Sequence, residues 1–395
     1  MPGYSIFFVD TASHYTADHT KWLFKGTPPT DLTDTGGPHG LRALKWTTYD
    51  WAVGQNLGTT TEVTGGIWLR AGDGSSWPDR GLYLMTVSSG DTDDSLISLV
   101  LGTNGNLEVW MTPDGVADKI NETGATVLTN GGENRVEFRV TESTQGGSLN
   151  ADGTYAVYVD GQQVMTGTGL TIGDYGFDWG RLYLGPYATN GGRANTLLYM
   201  NEIYYLGDDP LSGLITVPHF KTWRVERLDP TGAGNYTQWT AAGGSSNYLQ
   251  VDDAADPDGD SSYVVTSTVN AKDTYTMSDL VATQGHIRYV QAVGSSKRTA
   301  SVLSVSPRAL LRYGGTDATG NDYGQLTTYR YGLDQQNLSP FTSTEWTFAE
   351  VNGLEAGVIA TSSGSPPDTA RLTQLLVEVL VTDETRRRSF ASVIQ

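Results

Sequence analysis

The side chains best suited to chemistry in this 395-residue sequence are carboxylates and tryptophans, because cysteine is absent. Without cysteine there are no thiol nucleophiles, disulfides or cysteine-ligated metal centres. Glycoside hydrolysis needs two carboxylates placed on either side of the scissile bond. The sequence contains no E-x-D-x-x-E run, which would put such acids on one face of a strand, and no G-x-S-x-G turn for a nucleophilic serine. We therefore expect no enzyme activity and no catalytic residues.

One acidic stretch, Asp252–Asp260, has a spacing that suits calcium. Asp256, Asp258 and Asp260 alternate with a proline and a glycine, and Ca²⁺ prefers hard oxygen ligands gathered by a tight turn. The stretch lacks the glutamate that closes an EF-hand loop, so the alternative is a solvated acidic turn. The five histidines show no metal-ligand spacing. No other metal and no organic cofactor is expected.

Two tryptophans are candidates for glycan contact. Trp77 lies in a Gly-Ser-Ser-Trp-Pro-Asp loop, and Trp110 shares one face of a predicted strand with Glu108. Exposed aromatic rings beside acidic and amide side chains are typical of sugar-binding sites. The alternative for both residues is packing in a core or an interface, where aromatic side chains supply large buried areas.

The charge balance excludes some partners. The formal net charge is -19, which repels nucleic-acid backbones and anionic lipids, so neither nucleic acid nor membrane is expected as a partner. We see no secretory signal and no apolar run long enough to span a bilayer. Against this acidic background, the run Arg386, Arg387 and Arg388 could dock on an acidic neighbour or on another copy of the chain. The alternative is a solvated tail.

Composition and periodicity predict an all-β protein. Glycine numbers 48, charged residues are only 17%, and short apolar runs alternate with turn residues. In Val136–Val140 the valines and Phe138 form an apolar face, with Glu137 and Arg139 on the wet face. Asn104-Gly105 and Asp160-Gly161 predict hairpins with type I′ turns. A further strand is predicted at Ala125–Leu128.

A turn cluster near residue 207 divides the chain. We expect a first domain at 1–210, in which residues 1–60 offer the fewest strand signals, a second β domain at 211–385, and a basic tail at 386–395. The second domain should contain one short helix around Thr347–Leu354, capped by Ser343 or Thr344.

Specific runs resemble known families. The hairpin sequence DGTYAVYVDGQQV resembles the late hairpin of concanavalin A-like and laminin G-like sandwich domains. The runs FKTWRVERLDPTGAGNYTQWT, NYLQVDDAADPDGDSSYVVTSTVNAKDTYTMSDL and TEWTFAEVNGLEAGV resemble, in that order, the C-terminal half of a group of tailed-bacteriophage virion structural proteins. This resemblance implies a concanavalin A-like β-sandwich followed by a smaller β-sandwich or jelly-roll-like domain.

The resemblance also implies a function. It indicates a non-enzymatic protein on the capsid or tail surface of a phage virion, assembled in the host cytoplasm, whose partners are other virion proteins and its own copies. The alternative is a lectin-like module that adsorbs to host-surface polysaccharide. A binder would lose affinity when Trp77 or Trp110 is replaced, whereas a structural protein would be present stoichiometrically in particles.

Overall fold

A computed structural model describes the chain in nineteen ranges. They are 6–10, 23–25, 31–33, 43–46, 51–56, 62–71, 82–89, 95–111, 118–124, 126–144, 150–172, 179–188, 198–206, 223–244, 246–253, 257–299, 305–323, 327–361 and 369–382. The chain divides into two compact units, with the change near residues 221 and 222. The sequence placed this boundary after residue 210, within the turn cluster.

The first unit consists of antiparallel strands within the described ranges. They are β1 Ile6–Asp10, β2 Leu23–Lys25, β3 Asp31–Thr33, β4 Ala43–Trp46, β5 Trp51–Asn56, β6 Glu62–Ala71, β7 Leu82–Ser89, β8 Ser95–Leu101, β9 Leu107–Met111, β10 Asp118–Glu122, β11 Glu133–Thr141, β12 Gly153–Val159, β13 Gln162–Leu170, β14 Trp179–Ala188 and β15 Leu198–Leu206. They form an eight-stranded sheet in the order β13-β12-β11-β6-β15-β4-β3, with β1 beside β15. A seven-stranded sheet has the order β10-β9-β8-β7-β14-β5-β2.

The core of the first unit lies between these two sheets. Ile67 and Leu69 on β6 and Val136 on β11 come from the eight-stranded sheet, while Leu99 on β8 and Val109 on β9 come from the seven-stranded sheet; all five are fully buried in one cluster. Side chains on a strand alternate between its two faces. The opposite face of each strand is therefore free to carry polar groups.

The second unit is also built from strands, with one α-helix and a short 3-10 helix, Asn247–Gln250, among its described residues. The elements are β16 Trp223–Leu228, β17 Pro230–Thr237, β18 Thr240–Ala242, β19 Tyr263–Thr266, β20 Lys272–Met277, β21 His286–Arg298, β22 Ser306–Tyr313, β23 Thr316–Asp322, β24 Arg330–Gln336, α1 Phe348–Asn352, β25 Glu355–Thr361 and β26 Ala370–Thr382. A six-stranded sheet has the order β18-β19-β26-β21-β24, with β16 beside β26, and a five-stranded sheet has the order β17-β20-β25-β22-β23. Two sandwich domains confirm the all-β prediction.

The second core lies between the six-stranded and five-stranded sheets. Val290 and Ala292 on β21 pack with Val377 on β26 and with Ala309 and Leu311 on β22. Trp239 and Trp346 are 4% and 3% exposed and belong to the same cluster. The long antiparallel pair β21–β26 runs from His286 opposite Thr382 to Arg298 opposite Ala370. This pair sets the inward and outward faces of the whole six-stranded sheet.

The two predicted hairpins are present, but only one has the predicted turn. Asp160 and Gly161 have φ values of 50° and 76°, as a type I′ turn requires. At the other hairpin only Gly105 has a positive φ, of 76°, and the Asn106 N–H is bonded to the Asn104 side chain at 3.1 Å. The type I′ prediction is therefore wrong for Asn104-Gly105, because the asparagine side chain supplies a local acceptor that stabilises a wider loop.

The predicted strand at Ala125–Leu128 is also wrong. Thr126–Leu128 have no strand structure. The N–H groups of Val127 and Leu128 lie 3.2 and 3.4 Å from the carbonyl oxygen of Gly105. This apolar segment closes over the hairpin loop instead of pairing with a neighbouring strand.

The short helix is confirmed, with a different cap. Helix α1 has Thr347 as its N-cap, and the Thr347 hydroxyl accepts from the Glu350 N–H while the Glu350 carboxylate accepts from the Thr347 N–H. The prediction of Ser343 or Thr344 as the cap is therefore wrong. The reciprocal hydrogen bonds between Thr347 and Glu350 satisfy two N–H groups at the start of the helix at once. Within the described residues, no helix is long and apolar enough to cross a membrane.

A buried carboxylate links β20 to the core of the second unit. Asp273 is 0% exposed, and its Oδ2 accepts from Tyr275 Oη at 2.7 Å and Asn247 Nδ2 at 2.8 Å. Its Oδ1 has no hydrogen-bond partner. Burial raises the pKa of Asp273 to about 6, against the lowering effect of the two donors.

We expect the Asp273→Asn substitution to stabilise the second unit at pH 7.5. The folded state binds the Asp273 proton more tightly than the unfolded chain does. Protonated Asp273 therefore contributes its full stabilisation below about pH 3.8, and this stabilisation is lost as the pH rises through about 6. At pH 7.5 the lost stabilisation amounts to about 3 kcal/mol. The uncharged amide of the variant does not titrate, and its oxygen still accepts from Tyr275 and Asn247. Chemical unfolding at several pH values measures the difference between variant and parent.

The exposed Asp279 supplies the control, since Asp279→Asn removes a carboxylate that is exposed on the same stretch of chain. Its difference from the parent should stay within about 0.5 kcal/mol. An Asp273→Asn difference that does not change between pH 4 and pH 7 would show that Asp273 titrates normally.

Candidate functional site

The predicted glycan contact Trp110 lies on the outward face of the seven-stranded sheet. Along β9 the core side chains Leu107, Val109 and Met111 are buried, while Glu108 and Trp110 between them are partly exposed. This confirms the predicted sharing of one face by Glu108 and Trp110. The indole ring therefore points away from the core of the first unit.

Two neighbouring groups hold the indole ring. Trp110 Nε1 donates to Glu108 Oε2 at 2.8 Å. Lys119 on the edge strand β10 lies opposite Trp110, with its Nζ 3.5 Å from Glu108 Oε1 and 2.5 Å from Glu122 Oε2. These carboxylates raise the pKa of Lys119, the hydrogen bond to Glu122 most of all. We call Glu108, Trp110, Lys119 and Glu122 the Trp110 surface.

A β-bulge explains how Lys119 reaches this surface. Lys119 pairs with Trp110 and Asn121 pairs with Val109, so Ile120 is an extra residue in β10. The bulge leaves Lys119 on the outward face and Asn121 on the inward face, where its Nδ2 donates to Tyr155 Oη of the eight-stranded sheet at 2.7 Å. The sequence did not predict β10 because its polar run Asp118–Glu122 has no apolar alternation.

The arrangement suits contact with a sugar ring. The indole face offers an apolar platform, and its N–H is already satisfied by Glu108, so the ring is held in one orientation before a ligand arrives. The side chains of Lys119 and Glu122 are 38% and 47% exposed and can donate to and accept from hydroxyl groups. A partly exposed aromatic ring among exposed polar groups is the pattern that sugar recognition requires.

The outward face of the eight-stranded sheet carries a second polar set that the sequence did not single out. Glu137, on the predicted wet face, is only 1% exposed, so this part of the prediction is wrong. It lies opposite Tyr158 on β12 and Gly66 on β6. Trp68, on the same face of β6, is 4% exposed. Alternation correctly gave the direction of these side chains, but it does not report whether a face is covered.

The charged groups on this second face pair with one another. Arg139 lies two residues beyond Glu137, and its Nη2 is 2.7 Å from Glu62 Oε2. Tyr158 Oη donates to Gln163 Oε1 at 3.2 Å. Burial raises the pKa of Tyr158. The charge of Arg139 lowers this pKa, and the charge of Glu137 raises it further.

Two glutamates of the second face, Glu137 and Glu62, start from well-separated backbone positions. Gly66 lies opposite Glu137, and Glu62 lies four residues further along β6, or about 13 Å along the strand. Hydrolysis of glycosides uses carboxylates about 5–9.5 Å apart. Glu62 is also held by Arg139, so the set fits a structural ion pair better than an acid–base pair.

The acidic stretch of the second unit is held by protein donors. Asp258 accepts from the Ser262 N–H at 3.0 Å and from Ser262 Oγ at 2.8 Å. Asp260 pairs with Lys297 Nζ at 2.6 Å and Arg371 Nη1 at 2.7 Å. Within the described residues, no group of three or more acidic or histidine side chains is arranged to hold a metal ion.

The calcium prediction consequently has no support from Asp258 and Asp260. Two cations neutralise Asp260, which removes the charge that would attract Ca²⁺. Asp256, the third candidate ligand, lies outside the described residues, as do Trp77 and the three arginines Arg386, Arg387 and Arg388. Glycan contact by Trp77 and assembly contact by these arginines stay predictions.

Comparisons with known proteins leave the family open. No protein-family model matches the chain, and no curated protein sequence matches it. Among solved structures, the endo-β-1,4-glucuronan lyase of the fungus Trichoderma reesei is 14% identical with a TM-score of 0.39, over 52% of this chain and 96% of that one. A Chlorella virus alginate lyase is 13% identical with a TM-score of 0.39, over 48% and 93%. A carbohydrate-binding module of Bacillus subtilis is 11% identical with a TM-score of 0.30, over 48% and 97%. At these scores the likenesses assign no activity and no ligand to this chain.

We expect the Asp260→Asn substitution to lower the melting temperature of the second unit whether or not calcium is present. Hydrogen bonding to Lys297 is the main effect that lowers the pKa of Asp260, with Arg371 and Tyr329 adding to it. A depressed pKa means that this stabilisation is present at neutral pH and is lost as the pH falls through the folded-state pKa. For an exposed ion-pair network the loss should be about 1 kcal/mol and smaller in 1 M salt.

Differential scanning calorimetry in EDTA and in millimolar Ca²⁺ provides the measurement. A parent protein that is stabilised by Ca²⁺, with the effect lost in Asp260→Asn, would restore the calcium prediction.

Proposed function

We propose that the first domain binds surface glycans through the Trp110 surface. The observation that carries this proposal is the partly exposed indole of Trp110, fixed by its hydrogen bond to Glu108 at 2.8 Å and flanked by Lys119. Sugars present an apolar C–H face and a rim of hydroxyl groups. The indole ring stacks on the C–H face of the sugar, and Lys119 and Glu122 form hydrogen bonds with its hydroxyl groups.

Neutral or weakly charged glycans fit this surface best. Lys119 is the one base in the defined set, and Glu108 and Glu122 both approach its ammonium group. The surface therefore has no spare positive charge for a polyanion, and the net charge of -19 repels one at long range. Affinity for a single site would be weak, and multiple copies on one particle would add avidity.

The proposed setting is the surface of a tailed-phage virion, where the chain serves as a non-enzymatic structural protein of the capsid or tail. The support is the resemblance of three ordered sequence runs to such proteins. The acidic composition suits a protein displayed at high local concentration, because like charges prevent adhesion between particles. The binding and structural roles are compatible in one decoration protein with two domains.

We expect Trp110→Ala to weaken glycan binding about tenfold or more, and Trp110→Phe to weaken it less, because phenylalanine keeps an apolar face but loses the hydrogen bond to Glu108. A glycan array identifies the ligand, and titration calorimetry measures the affinity of each variant. Leu249→Ala is the matched control, since it truncates an apolar side chain that is 45% exposed in the second unit.

Equal affinity of the parent and Trp110→Ala for every glycan bound would exclude the Trp110 surface as the site. Circular dichroism melts must show that Trp110→Ala is folded before the affinities are compared. Release of reducing ends from a bound polysaccharide by the parent protein would contradict the non-enzymatic role.

The virion proposal has its own measurement. Immunogold electron microscopy on particles from the source culture should place gold at regular positions on heads or tails, because a structural protein is present in fixed copy number. Unlabelled particles, with the protein found only in the soluble fraction, would contradict the structural role and leave the glycan proposal to stand alone.

A further inference from the structure

Basic residues are concentrated at one end of the six-stranded sheet. Strand β21 ends with Lys297 and Arg298, β24 begins with Arg330, and β26 begins with Ala370 and Arg371. Lys297 lies opposite Arg371, and Arg298 lies opposite Ala370. Four cationic side chains thus meet at three adjacent strand ends in a chain whose net charge is -19.

The outward-facing pair has a counter-charge. Lys297 and Arg371 both bond to Asp260, at 2.6 and 2.7 Å. Lys297 Nζ also lies 4.5 Å from the centre of the Tyr329 ring, and the Arg371 guanidinium lies 4.4 Å from that of Tyr263. Each of these two cations therefore has an acid and an aromatic ring as partners.

Arg298 and Arg330 face the interior of the sandwich instead. Val290 and Ala292 on β21 belong to the core, and β21 pairs with β24 without a register shift. Arg298 lies opposite Ala370, which belongs to the core cluster, and directly opposed residues of an antiparallel pair share a face, so Arg298 lies on the core side of β21. Ser296, on the same side, lies opposite Arg330, so Arg330 shares that side.

The two inward guanidinium groups have buried donors without acceptors. Arg298 is 5% exposed, and its Nε and Nη1 have no hydrogen-bond partner. The Nε of Arg330 is likewise buried and unpartnered. Within the described part of the chain, no carboxylate accepts a hydrogen bond from these three nitrogens. Ala370, opposite Arg298, has only a methyl side chain, so it offers the guanidinium no hydrogen-bond acceptor.

Buried guanidinium donors without acceptors are costly. Arginine stays protonated in proteins, and leaving a buried charge without its counter-charge destabilises the fold. Arg298 and Arg330 are diagonal neighbours on adjacent strands, about 7–8 Å apart at the backbone. That separation allows both side chains to bond to a single small group placed between them.

We infer that Arg298 and Arg330 form a binding site for a small oxyanion at this end of the second sandwich. The planar guanidinium fork matches the oxygen spacing of phosphate, sulfate and carboxylate groups. Two guanidinium groups favour a tetrahedral dianion over a monovalent carboxylate, since one dianion neutralises both. This site is separate from the Trp110 surface and needs no glycan.

Inorganic phosphate and sulfate are the probes, with acetate as the monovalent comparison, all as sodium salts at one ionic strength set with NaCl. We expect phosphate or sulfate at about 10 mM to raise the melting temperature of the second unit by about 2–4 °C in the full chain. Acetate should raise it less. In Arg298→Met the rise should vanish, and in phosphate-free buffer this variant should melt no lower than the parent, because it has lost an uncompensated charge.

Arg288→Met is the matched control. Arg288 lies on the same strand β21 near its other end, where its Nη1 bonds to Glu345 at 2.9 Å. This variant should keep the full response to phosphate. An equal rise in the parent and in Arg298→Met would be a general salt effect and would overturn the site, as would the absence of any rise in the parent. If Arg298→Met does not fold, titration calorimetry with phosphate replaces the melting experiment. Saturable one-to-one binding to the parent, lost in Arg330→Met, would support the site, and no binding to the parent would overturn it.

Discussion

The alternation of side chains across antiparallel strands is the constraint on which the rest of the structure depends. A strand in a sandwich has one face in the core, so its apolar residues must recur at every second position. This rule places Val109 in the first core and Trp110 outside it. On β21, Arg298 lies on the core side of the second sandwich, where its Nε and Nη1 have no hydrogen-bond partner.

The two candidate sites differ in how their polar groups are satisfied. At the Trp110 surface each of the four side chains has a partner. Because the Trp110 N–H is bonded to Glu108, the ring is held in place before a ligand binds. At the strand ends, Asp260 pairs with Lys297 and with the Nη1 of Arg371, whereas the Nε and Nη1 of Arg298 have no hydrogen-bond partner. A ligand at the first site adds contacts, while a ligand at the second would remove an existing electrostatic cost.

Local sequence rules predicted the correct turn at one hairpin and the wrong turn at the other. Asp160-Gly161 forms the predicted turn because both residues accept positive φ. Asn104-Gly105 does not, since the Asn104 side chain bonds within its own loop. Strand β23 has no apolar alternation, because Ala318 is the one apolar side chain in Thr316–Asp322. This strand is held in the sheet by backbone hydrogen bonds to β22, which the sequence pattern does not show.

The sequence by itself determined the all-β class, the apolar faces of β9 and β11, and the presence of a short helix. Each of these follows from periodicity or from turn chemistry, which act over a few neighbouring residues. Only the tertiary structure decided the burial of Glu137, the neutralisation of Asp260 by Lys297 and Arg371, and the isolation of Arg298. Burial and charge pairing depend on residues brought together from distant parts of the chain, and no local pattern reports them.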